Sequence, residues 1–257
     1  MRHDKQLYPI LSVEKALEMI LEVFDPLPAV RLPLLEALDC VLAEDVYAEG
    51  DIPPHANTAM DGYAVHAADT TAASPDRPRT LTVIENLAAG YMAQSRVQPG
   101  EAIRIMTGAP LPDGADAVIP FEDTEQVGDK VTLFAEMDEA ENVRFAGEDV
   151  KAGTQVLGAG ARLRPQELGM LAALGYPEVP VIRRPRVAIL ATGDELVDID
   201  AQLTPGKIRN ANGYSNAAQV MKYGGEPLML GIAEDTIDDL TARIRAGIAQ
   251  GADLLLT

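Results

Sequence analysis

Residues 187–256 constrain the fold of this chain more tightly than any other stretch. Val187-Ala188-Ile189-Leu190-Ala191 is an unbroken apolar run of the kind that lies buried on both faces of a parallel sheet. Asn212 can cap a helix carrying Ala217, Val220 and Met221 that stops near Gly224-Gly225, and Leu228 to Ile232 reads as a second strand. Asp235 or Thr236 caps a further helix with Ile237, Leu240, Ile244 and Ile248 on one face, and Asp253 to Leu256 reads as a third strand. Strand, helix, strand, helix, strand is the first half of a doubly wound α/β sheet. Right-handed crossovers then gather the carboxyl ends of the strands on one rim.

The preceding chain has a different rhythm. Ser12 caps a helix with Val13, Ala16, Leu17, Ile20 and Phe24 on one face, which runs to about Phe24 before Pro26 and Pro28 stop it. Leu34 to Leu42 reads as a second helix. From Pro53-Pro54 to about Val143 the pattern becomes short β runs separated by glycine and proline: Leu81 to Ile84, Ala102 to Met106, Ala117 to Ile119 and Lys130 to Phe134. Pro165 opens a helix through Leu174 that Gly175 ends. The expected fold class is therefore multidomain α/β: an elongated α+β domain (1–52 and 144–182) with an inserted small β domain (53–143), then the start of a doubly wound parallel α/β domain (183–257).

Composition excludes some functions. Forty acidic against 21 basic residues give a formal charge of −19, whereas a nucleic-acid surface needs a basic footprint. A small anionic ligand needs only a local pocket. Cys40 is the single cysteine and sits among Leu38, Val41 and Leu42, so it reads as a buried apolar position. No charged-then-apolar leader precedes Leu7 and no uncharged apolar run approaches the roughly 20 residues that span a bilayer. A bacterial-type cytosolic protein is the expectation. His3, His55 and His66 lack metal-ligand spacing, and no paired cysteines supply a zinc site.

The residues that carry chemistry each have two readings. Asp61-Gly62 alone is a turn signal before Tyr63-Ala64-Val65, hence a hairpin, yet it also places one carboxylate at the edge of an apolar segment. Thr107-Gly108-Ala109 offers a hydroxyl and an approachable backbone to an oxyanion, or is only a turn. Asp149, after Gly147, shares that ambiguity. Thr192-Gly193-Asp194-Glu195 follows the first buried strand and Asp235 the second, where open α/β sheets collect ligands. Glu195 and Asp235 could hold Mg²⁺, or be a loop acid and a helix cap.

Four blocks stand in order: Asn57-Thr58-Ala59-Met60-Asp61-Gly62-Tyr63-Ala64-Val65, Arg104-Ile105-Met106-Thr107-Gly108-Ala109-Pro110, Gly147-Glu148-Asp149-Val150 and Thr192-Gly193-Asp194-Glu195-Leu196. Together they resemble the molybdopterin molybdenumtransferase family, to which the E domain of gephyrin is related, over essentially Leu11 to Thr257. The resemblance implies a transferase that inserts molybdenum from molybdate into adenylylated molybdopterin with release of AMP, aided by Mg²⁺. It implies catalytic roles for Asp61, Thr107, Asp149, Glu195 and Asp235, cofactor contacts from Thr192, Gly193, Asp194 and Asn212, and a metal on Glu195 and Asp235. It also implies a cytoplasmic homodimer whose cleft joins the α/β domain of one subunit to the β module of the other, with molybdopterin adenylyltransferase as a pathway partner. The alternatives are an adenylyltransferase-like enzyme and a gephyrin-like scaffold without activity. Arg209-Asn210-Ala211-Asn212 stands where the family carries Tyr-Asp-Ser-Asn, so an acid is missing at Asn210. The chain resembles the N-terminal part of the family, and the 257 residues by themselves are expected to bind substrate weakly and to catalyse nothing.

Overall fold

A computed structural model describes residues 11–257. His3 and the start of the first expected domain lie outside the described residues. The chain forms two compact units, one comprising the residues up to Glu44 together with Gly158–Thr257 and the other comprising Asp45–Leu157.

In the first unit, helix α1 (Val13–Leu21) starts where expected, with the Ser12 hydroxyl accepting from the Lys15 N–H. It ends three residues short of Phe24, because the last amides turn back to carbonyls three residues before them ahead of Pro26. Strand β1 (Ala29–Pro33) follows. The expected helix over Leu34 to Leu42 is not formed. A single 3₁₀ turn, Leu34–Ala37, gives way at Asp39, whose φ of 63° cannot continue a helix, and Val41–Leu42 becomes strand β2. Leu42 is fully buried, so pairing in a sheet outweighs the helical spacing of the local sequence.

The second unit begins with β3 (Val46–Tyr47) and β4 (Asn57–Thr58), followed by β5 (Gly62–Val65), β6 (Arg79–Leu87), β7 (Glu101–Ile105) and β8 (Ala117–Pro120). It continues with β9 (Thr124–Val127), β10 (Lys130–Leu133), β11 (Val143–Arg144) and β12 (Gln155–Leu157). Six of these form one sheet in the order β8-β5-β7-β6-β10-β9, antiparallel except for the β6–β7 pair. All four β runs expected from sequence lie in it. Alternation along each strand sends Tyr63, Ala102, Ile119, Val131 and Leu133 to one buried layer and Ala64, Ile103, Ile105 and Val118 to the other.

Asp61-Gly62 is not a hairpin turn. The strand before it, β4, pairs with β11, and Gly62 is the first residue of β5 itself. A Cβ there would lie 2.0 Å from the Ile119 carbonyl oxygen, so the glycine is required by the close approach of β8.

The chain returns to the first unit with α2 (Pro165–Ala173), β13 (Glu178–Ile182), which lies between β1 and β2, and β14 (Arg186–Thr192). Arg164 and Glu167 close the start of α2, and Gly175, at φ 82°, follows its end. Beyond β14 come β15 (Leu196–Val197), β16 (Ile208–Arg209), α3 (Ala211–Lys222), β17 (Glu226–Ala233), α4 (Ile237–Ala249) and β18 (Leu254–Leu256). The parallel sheet has the order β17-β14-β18, so β14 sits between its two successors. Val187, Ala188, Ile189 and Leu190 are all buried, as the unbroken apolar run requires. A Cβ on Gly247 of α4 would come within 3.3 Å of the Ala188 Cβ, whereas Val187, on the opposite face of β14, borders a hollow with Val220 of α3.

Candidate functional site

The Asp61 end of the six-stranded sheet is built by backbone pairing before any side chain acts. The Thr58 N–H donates to the Ala109 carbonyl at 3.1 Å, and the Gly108 N–H donates to the Thr58 carbonyl at 2.9 Å. This ties the segment ahead of β5 to the one that follows β7. Gly108, at φ 80°, makes the turn that permits it. Asp61 and Thr107 therefore meet: both the amide and the hydroxyl of Thr107 donate to Asp61 Oδ1, each at 2.7 Å. These two bonds, the amide first, hold the Asp61 carboxyl below its usual range, with a smaller contribution from the Arg104 charge. Oδ2 accepts no hydrogen bond within the described residues, and the side chain is exposed, so one carboxylate oxygen is held in place and free to meet a ligand.

Asp149, in the same unit, is engaged differently. Arg144 of β11 donates to it at 2.6 Å and also reaches Glu148 at 3.3 Å. The two carboxylates in turn raise the Arg144 pKa, the Asp149 hydrogen bond foremost. Arg144 is absent from the expectations above. Its position five residues before Asp149 is the signal that could have marked it.

In the other unit, β14 ends at Thr192 and the chain turns through Gly193-Asp194-Glu195, closed by the Leu196 N–H donating to the Gly193 carbonyl at 3.0 Å. Gly193 has a φ of 137°, and a Cβ on it would lie 2.5 Å from Glu195 Oε2, so the Glu195 carboxylate is folded back over the glycine. The parallel pair β15–β16 brings the loop after residue 200 back to this turn, with the Ile208 N–H donating to the Glu195 carbonyl at 2.9 Å and Lys207 Nζ donating to the Asp194 carbonyl. The Asp235 N–H, beyond β17, donates to Asp194 Oδ1 at 3.4 Å. Asp194, Glu195 and Asp235 thus share the rim at the carboxyl ends of β14 and β17, as the sequence pattern implies.

The helix caps are Thr236 for α4 and, for α3, Asn210 rather than Asn212. Asn210 is buried, and its Oδ1 accepts from the Gly213 N–H at 2.9 Å, while a Cβ at Gly213 would strike the Asn210 amide. The cap stands two residues before the expected one because β16 delivers Asn210 directly to the start of the helix. Asn212 is left on the first turn, free of capping. It lines a cavity of about 350 Å³ with Thr192, Arg209 and Asn216, bounded also by Leu190 of β14 and by Thr257 just after β18. The cavity lies where the strand order reverses about β14, the place where open α/β sheets bind ligands. Of the expected residues it takes in Thr192 and Asn212, and not Gly193, Asp194, Glu195 or Asp235. Asn216, one helical turn beyond Asn212, is a lining residue that the motif does not mark.

Among the described residues no three or more His, Cys, Asp or Glu side chains gather to hold a metal ion, and no helix is long and apolar enough to cross a membrane.

Residues 11–175 match the family described as the MoeA N-terminal region (domain I and II). This chain belongs to that family. It is 38% identical over 235 residues to a molybdopterin molybdenumtransferase of Staphylococcus aureus (strain Mu50), covering 91% of this chain and 55% of that protein. It is 34% identical over 247 residues to one of Staphylococcus epidermidis (strain RP62A), covering 96% and 59%. A crystal structure of the molybdopterin biosynthesis moeA protein of Pyrococcus horikoshii OT3 superimposes with a TM-score of 0.85 at 38% identity, over 94% of this chain and 64% of that one. The chain spans little more than half the length of the curated MoeA relatives it matches, and the resemblance read from its four blocks is that of the same family.

Proposed function

We propose that this chain serves molybdenum insertion: transfer of molybdenum from molybdate to the dithiolene of adenylylated molybdopterin, with release of AMP, in the cytoplasm. The observation that carries the reading is the Asp61–Thr107 clamp, which fixes a carboxylate inside two of the motif blocks and leaves its second oxygen free. Membership of the MoeA family and the names of its relatives supply the chemistry. Thr192 and Asn212, from the cavity at the strand-order reversal, are assigned to cofactor contact, with Gly193 and Asp194 on the adjoining turn. Glu195 and Asp235 are assigned to Mg²⁺. Their donor set suits it, since oxygen ligands on one rim match a cation held by one or two carboxylates and substrate phosphate. When bound, Mg²⁺ would draw charge from the adenylyl phosphate. Asp61 would orient the incoming group through Oδ2. Asp149, already paired with Arg144, would act as part of that pair.

The three-part division at 52/53, 143/144 and 182/183, with the last part as a molybdopterin-binding domain, belongs to the same proposal. So does a homodimer. Helix α1 supports it: Val13, Leu17, Ile20 and Leu21 all stand exposed, and no residue of the helix is buried. Molybdopterin adenylyltransferase is the proposed pathway partner, since its product is the substrate.

Deleting the gene that encodes this chain should leave cells with adenylylated molybdopterin accumulated and the molybdenum cofactor missing, as read by fluorescence of the oxidised pterins. Accumulation of molybdopterin without its adenylyl group would place the chain at the preceding step. Unchanged cofactor content would indicate a scaffold.

A further inference from the structure

Strand β17 carries one residue too many. Against β14, Met229 stands opposite Ile189 and Gly231 opposite Leu190, which leaves Leu230 without a partner in the parallel pair. Such a bulge is uncommon between parallel strands and breaks the ladder where it falls. Here it is braced. The Leu230 carbonyl accepts from Arg243 Nη1 of α4 at 2.8 Å, and the Leu230 side chain packs over Gly247 of the same helix, where an added Cβ would lie 2.9 Å from Leu230 Cδ1. Gly231, at φ 80°, makes the bend, and a Cβ on it would come within 3.2 Å of Arg243 Nη1.

The same guanidinium reaches the end of the strand. Arg243 Nε donates to Asp239 Oδ2 at 2.9 Å, and that oxygen also accepts from the Glu234 N–H at 2.9 Å. An i, i+4 pair would by itself only steady the helix. Each partner of this pair instead makes a second bond outside α4, Arg243 at the bulge and Asp239 at Glu234, the residue just beyond β17. The consequence is a choice between two neighbouring acids. After the bulge, Ile232 stands opposite Ala191 and Ala233 opposite Thr192, so Asp235 comes level with Asp194, and its N–H donates to Asp194 Oδ1 at 3.4 Å. In an unbroken ladder every residue after Met229 would move on by one, and Glu234 would stand level with Asp194 instead.

We propose that Arg243 is a positioning residue for Asp235: bonded to the Leu230 carbonyl and, through Asp239, to the Glu234 amide, it holds the bulge that sets Asp235, and not Glu234, on the rim beside Asp194. A planar fork with donors in fixed directions suits this pair of bonds, whereas a lysine offers a single point of attachment. The meaning of the arrangement for metal binding rests on the role proposed for Asp235; the choice of register does not.

The test is amide NMR of the 257-residue chain. In the wild-type protein the Asp235 amide should show a nuclear Overhauser contact with the Asp194 side chain and the Glu234 amide none, an arm that needs no variant to fold. Arg243→Met, which keeps an apolar stem on α4, should remove that contact and speed exchange of the Glu234 amide at least about tenfold, while Ile244 and Ile248 keep their rates. Arg243→Lys keeps the charge and should not restore slow exchange. Wild-type exchange at Glu234 in both variants overturns the proposal. So does a rise shared by Ile244 and Ile248, which would make Arg243 a brace of the helix alone, and so does a wild-type chain in which Glu234 meets Asp194. Trace Mn²⁺ as a probe separates this from the proposed function: selective broadening at Glu195 and Asp235 agrees with both, whereas its absence removes the metal assignment and leaves the positioning intact.

Discussion

At the scale of single residues, the two glycines beside the acids do different work. Gly193 leaves room for the Glu195 carboxylate, which a flexible side chain could vacate. Gly62 leaves room for the main chain of β8, which cannot move without breaking the β5–β8 register. Gly62→Ala should therefore cost at least about 3 kcal/mol, the upper range of overpacking penalties, and should lower the thermal midpoint measured by circular dichroism. An unchanged midpoint would mean that β5 and β8 do not approach as described. The acids themselves were legible in the sequence because a motif marks residue type and order. Their partners were less so. The Thr107 amide reaches Asp61 only because β4 and the Gly108 turn bring together segments 46 residues apart, and the Arg243–Leu230 bond depends on the β14–β17 register.

At the scale of elements, the strands that were legible are those whose apolar runs match their burial: β14 with both faces covered, and β6, β7, β8 and β10 within the six-stranded sheet. The failure at Leu34 to Leu42 has the opposite cause. A segment with helical spacing is drawn into β pairing by a distant partner, Val181–Ile182, and by a left-handed residue at Asp39. Local spacing cannot reveal either. The cap of α3 was displaced for a similar reason, since β16 fixes where the helix may begin. The parallel sheet also has a charged fastening that sequence reading passed over. Asp253, just before β18, accepts from both terminal nitrogens of Arg183 at 2.7 and 2.5 Å and from the Arg186 N–H at 2.9 Å. The Arg183 hydrogen bonds, followed by that of Arg186, lower the Asp253 pKa to about 2. Because the folded value lies below the unfolded value of about 3.9, the fastening stabilises fully above pH 4 and is lost as pH falls from about 4 to about 2. Asp253→Asn should cost about 2 kcal/mol at pH 7, in the range for hydrogen bonds to charged groups, and only a small fraction of that near pH 2, where the folded carboxyl is about half protonated. Thermal melts of both proteins across that range check the prediction. A difference that persists undiminished at pH 2 would contradict it.

At the scale of the whole molecule, the chemistry is distributed: Asp61, Thr107 and Asp149 belong to one unit, and Thr192, Asp194, Glu195, Asn212 and Asp235 to the other. The proposed homodimer would complete each cleft from two chains. If so, coexpressed Asp61→Asn and Glu195→Gln protomers should recover up to about a quarter of the wild-type activity, since about half of the dimers are hybrids and each hybrid has one of its two clefts intact, while each variant alone is inactive. No recovery in coexpressed protomers that associate normally would contradict a shared cleft. The central claim, that the clamped Asp61 carboxylate serves molybdenum insertion, is tested most directly by placing Asp61→Asn in the gene that encodes this chain and measuring the cell's molybdenum cofactor. Asparagine keeps the volume and an acceptor for Thr107 but removes the charge, so the protein should be present at its normal level while cofactor falls at least about a hundredfold and adenylylated molybdopterin accumulates. Wild-type cofactor content with Asn at position 61 would contradict the account.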